Sequence, residues 1–161
     1  MNIRIGFGVD RHQLVNNRKL IIGGVEIPSE KGALGHSDAD ALLHAICDAL
    51  LGALALRDIG FHFPDTDPKY KGINSLLLLK HTYDMIQSNG YRIVNLDSTV
   101  MLEQPKIGKY VDEMRMNIAQ VLGADLNQIS IKATRGEKVG PVGEGIAIQT
   151  YAQVLIQKIT Q

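Results

Sequence analysis

Asp10, His12 and His44 are the residues whose types and spacing best fit a catalytic metal site. Two imidazoles and one carboxylate form the protein ligands of many catalytic zinc centres, which keep a fourth position open. His44 lies four residues after Asp40 and four before Asp48, so a helix would carry all three on one face. The alternative is that His12 caps a turn and that His44 is a surface helix residue. The pattern Asp-x-His after a predicted strand, combined with the helical stripe, favours the metal site.

His36 and Ser37 stand at the start of that predicted helix, and Ser37 followed by Asp40 resembles a capping box. A helix beginning at Ser37 would direct free N–H groups and its dipole toward an anion, so a phosphate could bind there. Ser37 as a plain N-cap is an equal alternative. Nearby carboxylates would repel a phosphate unless divalent cations accompanied it. These carboxylates belong to Asp38, Asp40, Asp48, Asp58, Asp65 and Asp67.

The composition argues against several classes of partner. Lys plus Arg and Asp plus Glu number 17 each, which gives no field for a nucleic-acid backbone, and few aromatic residues are available for base stacking. The longest apolar stretch, residues 49–56, is shorter than the roughly 18 residues of a membrane span, and the chain opens into a predicted strand rather than a signal peptide. The single cysteine, Cys47, falls in an apolar helical stripe and is expected in the core. We expect a cytoplasmic protein without nucleic-acid or membrane partners.

The hydrophobic patterning predicts strands and helices alternating along one domain, residues 1–161. The predicted strands are residues 3–9, 91–102 with Val94 and Leu96 inward, 129–134 and 146–156, and the predicted hairpin is residues 20–27, turned at Gly23-Gly24. The first predicted helix begins at Ser37, and two further predicted helices cover residues 75–90 and 108–122. Residues 57–74 are interpreted as a mobile active-site loop. The expected fold class is α+β: a two-layer α-β sandwich with a mixed four-stranded sheet covered by helices, plus the small N-terminal hairpin.

Gly6-x-Gly8 resembles the beginning of a dinucleotide-binding fingerprint. Arg11 stands where the third glycine belongs, and no helix obviously follows. We therefore do not interpret these glycines as a nucleotide-binding turn.

Several blocks in order along the chain resemble the 2-C-methyl-D-erythritol 2,4-cyclodiphosphate synthase family. The first blocks are Gly6-Phe7-Gly8-Val9-Asp10-Arg11-His12, Gly35-His36-Ser37-Asp38-Ala39-Asp40, His44 with Asp48-Ala49-Leu50-Leu51-Gly52, and Asp58-Ile59-Gly60 through Phe63-Pro64-Asp65-Thr66-Asp67-Pro68. The later blocks are Gln104-Pro105-Lys106, Met114-Arg115, Lys132-Ala133-Thr134 and Glu137-Lys138. The resemblance covers essentially the whole chain, and the joined pattern is highly specific.

The resemblance implies a phosphorus–oxygen lyase of the non-mevalonate isoprenoid pathway. Such an enzyme converts 4-diphosphocytidyl-2-C-methyl-D-erythritol 2-phosphate into the cyclic diphosphate and CMP. It also implies a homotrimer with sites between subunits, so that a monomer would be inactive. The compartment would be the bacterial cytoplasm, or the plastid stroma after removal of a transit peptide.

The resemblance further implies roles for individual residues. The metal ligands would be Asp10, His12 and His44 for zinc and Glu137 for magnesium or manganese. The catalytic residues would be His36, Thr134 and Arg135. Substrate would contact Asp10, His12, His36, Ser37, Asp58, Ile59, Gly60, Phe63, Pro64, Asp65, Thr66 and Asp67. The neighbouring subunit would supply Leu102, Glu103, Gln104, Pro105, Lys106, Ile107, Gly108, Thr134, Arg135, Gly136 and Glu137.

Two segments depart from the family pattern. Many members carry a run of threonines before the glutamate, where this chain has Thr134-Arg135-Gly136-Glu137. Arg135 could supply a charged fork for phosphate or could be a solvated loop residue. Many members also have a longer turn facing a central cavity, where this chain has only residues 140–145.

Two other functions fit some of the same residues. A metal-dependent phosphoesterase would use zinc-bound hydroxide on another phosphate ester, would incorporate water into its product and would need no cytidine. A non-catalytic trimeric binding module would keep the metal site without turnover. The intact Asp58 and Phe63–Asp67 blocks weigh against the binding module.

Overall fold

The computed structural model describes residues 2–159 of the chain. Its strands are β1 (Ile3–Asn16), β2 (Leu20–Ile22), β3 (Val25–Ile27), β4 (Lys31–Ala33), β5 (Tyr91–Met101), β6 (Ile129–Thr134) and β7 (Ala147–Lys158). Its α-helices are α1 (Ala41–Ala53), α2 (Ile59–His62), α3 (Ser75–Ser88), α4 (Val111–Leu122) and α5 (Gly140–Gly143). Among residues 2–159, no helix combines the length and apolar character needed to cross a bilayer.

The main sheet has the strand order β4-β1-β7-β5-β6. Its pairs are antiparallel except β5 with β6, which are parallel and are joined through α4. The predicted α+β fold with a mixed sheet and the predicted hairpin, β2 with β3, are confirmed. The predicted number of four strands is wrong, because β4 pairs with the end of β1 as a fifth. The three residues Lys31-Gly32-Ala33 give no β-branched signal that could have revealed this strand.

The first strand is longer than predicted. It continues beyond Val9 to Asn16 and pairs with β7 from Ile3↔Gln157 to Gln13↔Ala147. Asp10 and His12 therefore lie within β1 and not beyond its end. The polar stretch after Val9 has weak strand propensity. It is held as a strand by backbone pairing with β7 through Gln13 and with β4 from Leu14 onward.

Gly6 and Gly8 explain how closely α1 lies on β1. A Cβ atom at Gly6 would overlap the carbonyl oxygen of Ala49, and one at Gly8 would overlap that of Ala45. The two glycines thus provide the room for a helix backbone to contact a strand backbone. From β7, the buried Thr150 hydroxyl donates to the Ala41 carbonyl at 2.7 Å and fixes the start of α1.

The first helix begins later than predicted. Ala39 adopts a left-handed conformation with φ +56°, and Asp40 is the N-cap, accepting from the Leu43 N–H at 3.1 Å. Ser37 therefore lies before the helix, and its prediction as the N-cap is wrong. Cys47 is fully buried in α1, as expected, and burial raises the pKa of its thiol to about 12.

The other elements lie close to their predicted positions. Helix α3 has Asn74 as its N-cap, and α4 ends at Gly123 in the left-handed conformation. A bulge between Ile93 and Asn95 buries Ile93, so the expected inward position of Val94 is wrong. The loop at 57–74 holds α2 and a short 3₁₀ turn, Pro68–Tyr70.

Strand β1 also exposes apolar side chains on the face opposite α1. The exposed fractions of Ile5, Phe7 and Val9 are 64%, 61% and 42%. Phe7 stacks on Tyr151 of the neighbouring strand β7, with ring centroids 6.3 Å apart. A contiguous apolar patch on a sheet face is a surface suited to another protein chain.

Candidate metal centre and cavity

Asp10, His12 and His44 form one cluster, here called the metal cluster. Their ligand atoms all lie within 4.8 Å of one another. Oδ2 of Asp10 is 2.8 Å from Nε2 of His12 and 3.0 Å from Nδ1 of His44. Strand β1 supplies two members and α1 the third, so the close packing at Gly6 and Gly8 sets their separation. The predicted trio is brought together, and its one oxygen and two nitrogen donors could hold a metal ion such as zinc.

The Leu34 carbonyl fixes the orientation of the His12 ring. Nδ1 of His12 is 2.8 Å from that oxygen, which can only accept, so Nδ1 donates its proton there. Nε2 therefore faces Asp10 and His44 and is the atom available to a metal. Outer hydrogen bonds of this kind hold ligand imidazoles in place at metal sites.

The charges within the metal cluster reinforce one another. Burial opposes ionisation of Asp10, but hydrogen bonds and charge from His12 and His44 hold the pKa of its carboxyl well below the usual range. Burial likewise opposes protonation of His12, yet its hydrogen bond to Asp10 and the charge of that carboxylate raise the pKa of the imidazole. Below that raised pKa, a metal ion binding here must displace a proton from His12.

The three polar residues predicted on one face of α1, Asp40, His44 and Asp48, have different roles. The buried Asp40 carboxylate turns away from the cluster and accepts from the Gly24 N–H at 2.7 Å. Its burial raises its pKa to about 6. Asp48 accepts from the Ile59 N–H at 2.7 Å and so anchors α2 to α1. Only His44 of the three belongs to the metal cluster.

A cavity of about 430 Å³, here called the metal-side cavity, opens beside the cluster. The predicted substrate-binding residues that line it are His12, His36, Ser37, Ile59, Gly60, Phe63 and Asp65. Asp58, Pro64, Thr66 and Asp67 belong to the same loop but are not part of the lining. Asp58 is the N-cap residue of α2, and its carboxylate makes no capping hydrogen bond.

Sequence reasoning missed five further lining residues: Leu34, Gly35, Tyr70, Ile73 and Leu78. Phe63 packs between Tyr70 and His81, with ring centroids 5.5 and 6.2 Å apart. The irregular order of polar and apolar types in residues 57–74 gave no periodic signal for Tyr70 and Ile73. Leu34, Gly35 and Leu78 carry no side-chain group that suggests chemistry.

A second cavity of about 290 Å³, here called the loop pocket, lies at the end of β6. Its lining consists of Leu102, Pro105, Lys106, Ile107, Gly108, Ala133, Thr134 and Arg135. It shares no lining residue with the metal-side cavity. The structure thus gathers most of the predicted second-subunit residues into one place, separate from the metal cluster.

Four predicted residues of this region lie outside the loop-pocket lining: Glu103, Gln104, Gly136 and Glu137. Glu103 accepts from the Gly136 N–H at 3.0 Å. Glu137 has a largely exposed side chain, 3.3 Å from the Arg135 guanidinium, and does not belong to the metal cluster. A side chain at Gly136 would overlap the backbone of Gly143, which explains why a threonine does not fit here.

Comparison with known proteins identifies relatives of the whole chain. The family model described as the YgbB family matches residues 3–157. A 2-C-methyl-D-erythritol 2,4-cyclodiphosphate synthase from Chloroherpeton thalassium is 62% identical and covers 98% of this chain and 100% of its own length.

Two solved structures share the fold. The bifunctional IspDF from Campylobacter jejuni has a TM-score of 0.94 and 39% identity, covering 98% of this chain and 42% of its own. An IspF CDP complex from Plasmodium falciparum has a TM-score of 0.87 and 36% identity, covering 99% of both chains. The resemblance seen in the sequence blocks is thereby confirmed, and this chain belongs to the YgbB family.

Proposed function

We propose that the protein converts 4-diphosphocytidyl-2-C-methyl-D-erythritol 2-phosphate into 2-C-methyl-D-erythritol 2,4-cyclodiphosphate and CMP, as a phosphorus–oxygen lyase of isoprenoid biosynthesis. The observation that carries this proposal is the metal cluster at the wall of the metal-side cavity. It occurs in a chain 62% identical to a synthase named for that product. A relative of the same fold is described as a complex with CDP, a nucleotide that shares the cytidine diphosphate part of the substrate.

Asp10, His12 and His44 would hold zinc, and Glu137 would hold magnesium or manganese. Bound divalent ions neutralise phosphate oxygens and withdraw electrons from the phosphorus under attack. The donor set supports zinc, because both imidazoles present a nitrogen toward the Asp10 carboxylate and hold the other nitrogen in an outer hydrogen bond.

The protein's task in this reaction is to fold the substrate back on itself. An oxygen of the 2-phosphate forms a bond to the β-phosphorus while the bond from that phosphorus to the CMP oxygen breaks. Such a transfer depends on positioning, and a well-aligned intramolecular reaction gains roughly 7–11 kcal/mol over a bimolecular one. Asp58, Ile59 and Gly60 would hold the methylerythritol hydroxyls, and His36 and Ser37 the phosphates.

The active protein would be a homotrimer with a site at each subunit interface. Two observations support this assembly. The metal-side cavity and the loop pocket share no residue within one chain, although a single substrate has to reach both. The exposed apolar side chains of Ile5, Phe7 and Val9 offer a surface for a second copy of the chain.

Arg135 and Thr134 would act on the diphosphate from the neighbouring subunit. Both line the loop pocket, and the Arg135 guanidinium makes a single ion pair, with Glu137, among the described residues. A guanidinium can donate two parallel hydrogen bonds to phosphate oxygens, which a threonine hydroxyl cannot.

The test is phosphorus NMR of the purified protein with the cytidine-linked substrate, zinc and magnesium. We expect a cyclic diphosphate and CMP to appear together and to be absent after chelation. Linear phosphates carrying oxygen from labelled water would instead establish a phosphoesterase. No change with zinc bound would leave a binding module.

A further inference from the structure

The start of α2 carries a carboxylate in the N-cap position that does not cap the helix. Asp58 has the extended conformation of an N-cap residue, with φ −125° and ψ 168°, yet its side chain makes no capping hydrogen bond. An aspartate in that position ordinarily accepts from the second or third N–H of its helix. A Cβ atom at Gly60 would lie 3.1 Å from Oδ2 of Asp58, so this carboxylate lies beside a residue that lines the metal-side cavity.

Asp48 of α1 supplies the missing acceptor. Its Oδ1 accepts from the Ile59 N–H, the first N–H of α2, at 2.7 Å. The N–H groups in the first turn of a helix lack partners within the helix, so a carboxylate from another element can take the place of the N-cap side chain. Asp48 is half-buried and lies one turn beyond His44, so the cap is fixed to the helix that carries part of the metal cluster.

The backbone that leads into Asp58 is held in a conformation that needs support from its surroundings. Arg57 has φ +71°, in the left-handed region that favours glycine. A residue of this kind persists only where the surrounding structure determines its conformation. The supporting contacts are the Asp48 hydrogen bond, a 2.8 Å hydrogen bond from the His62 imidazole to a backbone carbonyl, and the Arg57 guanidinium 4.0 Å from the centre of the Phe61 ring. These contacts, and not a cap of its own, determine the position of Asp58.

The two carboxylates are close enough to repel each other. Burial, together with the negative charges of Asp58 and Asp10, raises the pKa of Asp48, while the hydrogen bond from the Ile59 N–H opposes that shift. A fold that needed only a cap for α2 could use Asp58 alone and avoid this repulsion. Two carboxylates with one capping task leave one of them for another use.

We propose that Asp48 is a positioning residue that caps α2 in place of Asp58 and thereby keeps the Asp58 carboxylate available to the methylerythritol hydroxyls. This inference rests on the proposed function, in which Asp58, Ile59 and Gly60 hold those hydroxyls. An ionised carboxylate only accepts hydrogen bonds and a hydroxyl can donate one, so the two groups are matched. An Asp58 side chain turned onto its own helix would direct its oxygens at backbone N–H groups and would be lost to the substrate.

Asp48→Ala removes the outside acceptor and leaves the Asp58 carboxylate to cap α2. We expect KM for the cytidine-linked substrate to rise about 10- to 100-fold, because a hydroxyl loses a charged partner, while kcat changes by less than about threefold. Asp48→Asn keeps an oxygen for the Ile59 N–H and should raise KM by less than about threefold. Asp84→Ala on α3 removes a partly exposed carboxylate outside the cavity lining and is the matched control, with KM unchanged.

A double-mutant cycle separates positioning from a general structural role. If Asp48 acts through Asp58, D48A should change KM by less than about threefold in a D58A background. A general loosening of residues 57–74 would instead add its effect to that of D58A. Equal KM in D48A and the unmodified protein, or additive losses in the double variant, overturns the proposal. A loss in D48N as large as that expected for D48A also overturns it, even if D48A fails to fold.

Hydrogen exchange followed by nitrogen-15 NMR tests the cap without turnover. In D48A we expect faster exchange at the Ile59 N–H and slower exchange at the Gly60 or Phe61 N–H, because the Asp58 carboxylate turns onto its own helix. Unchanged exchange at Ile59 overturns the proposal. The expected exchange pattern in a protein that forms no cyclic diphosphate would support the cap and reject the proposed reaction.

Discussion

The metal cluster and the loop pocket are built differently within one chain. The ligand groups of the cluster are half-buried, held at 2.8–3.3 Å from one another, and braced by Leu34, Ser75 and Asp38. The loop pocket ends in the half-exposed side chain of Arg135, whose guanidinium contacts only Glu137 among the described residues. The first region is preorganised by its own chain, whereas the second presents groups outward, as expected for the site proposed between subunits.

The largest effect is expected at the cluster. His44→Ala removes one of the three proposed metal ligands and should abolish zinc binding, with turnover falling by about 10³-fold or more. Metal analysis and product formation measure the two losses, and circular dichroism checks the fold. His81→Ala on α3 is the matched control and should keep its zinc. Full activity in H44A would remove His44 from the site.

Arg135→Gln tests the loop pocket while leaving the cluster intact. Loss of a charge-assisted hydrogen bond to phosphate should lower kcat/KM by about 10- to 100-fold, with zinc affinity unchanged. Lys109→Gln alters a nearby exposed cation outside the pocket lining and should leave kcat/KM unchanged. Equal kinetics in R135Q and K109Q would show that Arg135 is a solvated residue.

Gly8→Ala tests whether the spacing between β1 and α1 maintains the cluster. The added methyl would overlap the Ala45 carbonyl and should reduce the free energy of unfolding by about 1–3 kcal/mol, with weaker zinc binding. Gly52→Ala in α1 is its counterpart, because the nearest atom to a Cβ there is 4.0 Å away. Urea unfolding should show G52A equal to or more stable than the unmodified chain, since alanine favours helix. Equal stability of G8A would refute the spacing argument.

The smallest effect is expected in the pH dependence of zinc affinity at the metal cluster. The hydrogen bond and charge of Asp10 raise the pKa of His12, and zinc must replace the His12 proton. Below that raised pKa, zinc affinity should therefore fall by about tenfold per pH unit, and above it the affinity should level off. Asp10 stays ionised throughout this range, because its pKa is lowered. Titrations with a chelating dye at several pH values would show a flat profile if His12 were not a ligand.

The sequence predicted which residues form the metal cluster better than it predicted the secondary structure and neighbouring side chains around them. The types and spacing of Asp10, His12 and His44 were enough to group them, because few other combinations match a zinc ligand set. The placement of Asp10 beyond a strand end failed because pairing partners, not propensity, extend β1. The contact between the Ser75 hydroxyl and His44 could not be foreseen, since serine at a helix start usually signals a cap.

The loop pocket could be anticipated only through resemblance to a family. Its residues come from two segments, 102–108 and 133–135, whose types carry no shared chemical pattern. The parallel pairing of β5 with β6 brings those segments together, with Met101 opposite Thr134. Long-range pairing of this kind depends on packing across the sheet and is not encoded in local periodicity.

The pairing of β1 with β7 has a consequence for the order of events during synthesis. All three members of the metal cluster lie within residues 10–44, yet the strand that supports Asp10 and His12 is formed by residues 147–158. Contacts so distant in sequence must overcome loop-closure entropy before they stabilise anything, which slows folding. We therefore expect a nascent chain on the ribosome to carry every ligand for most of translation and to bind zinc tightly only after its last strand has emerged.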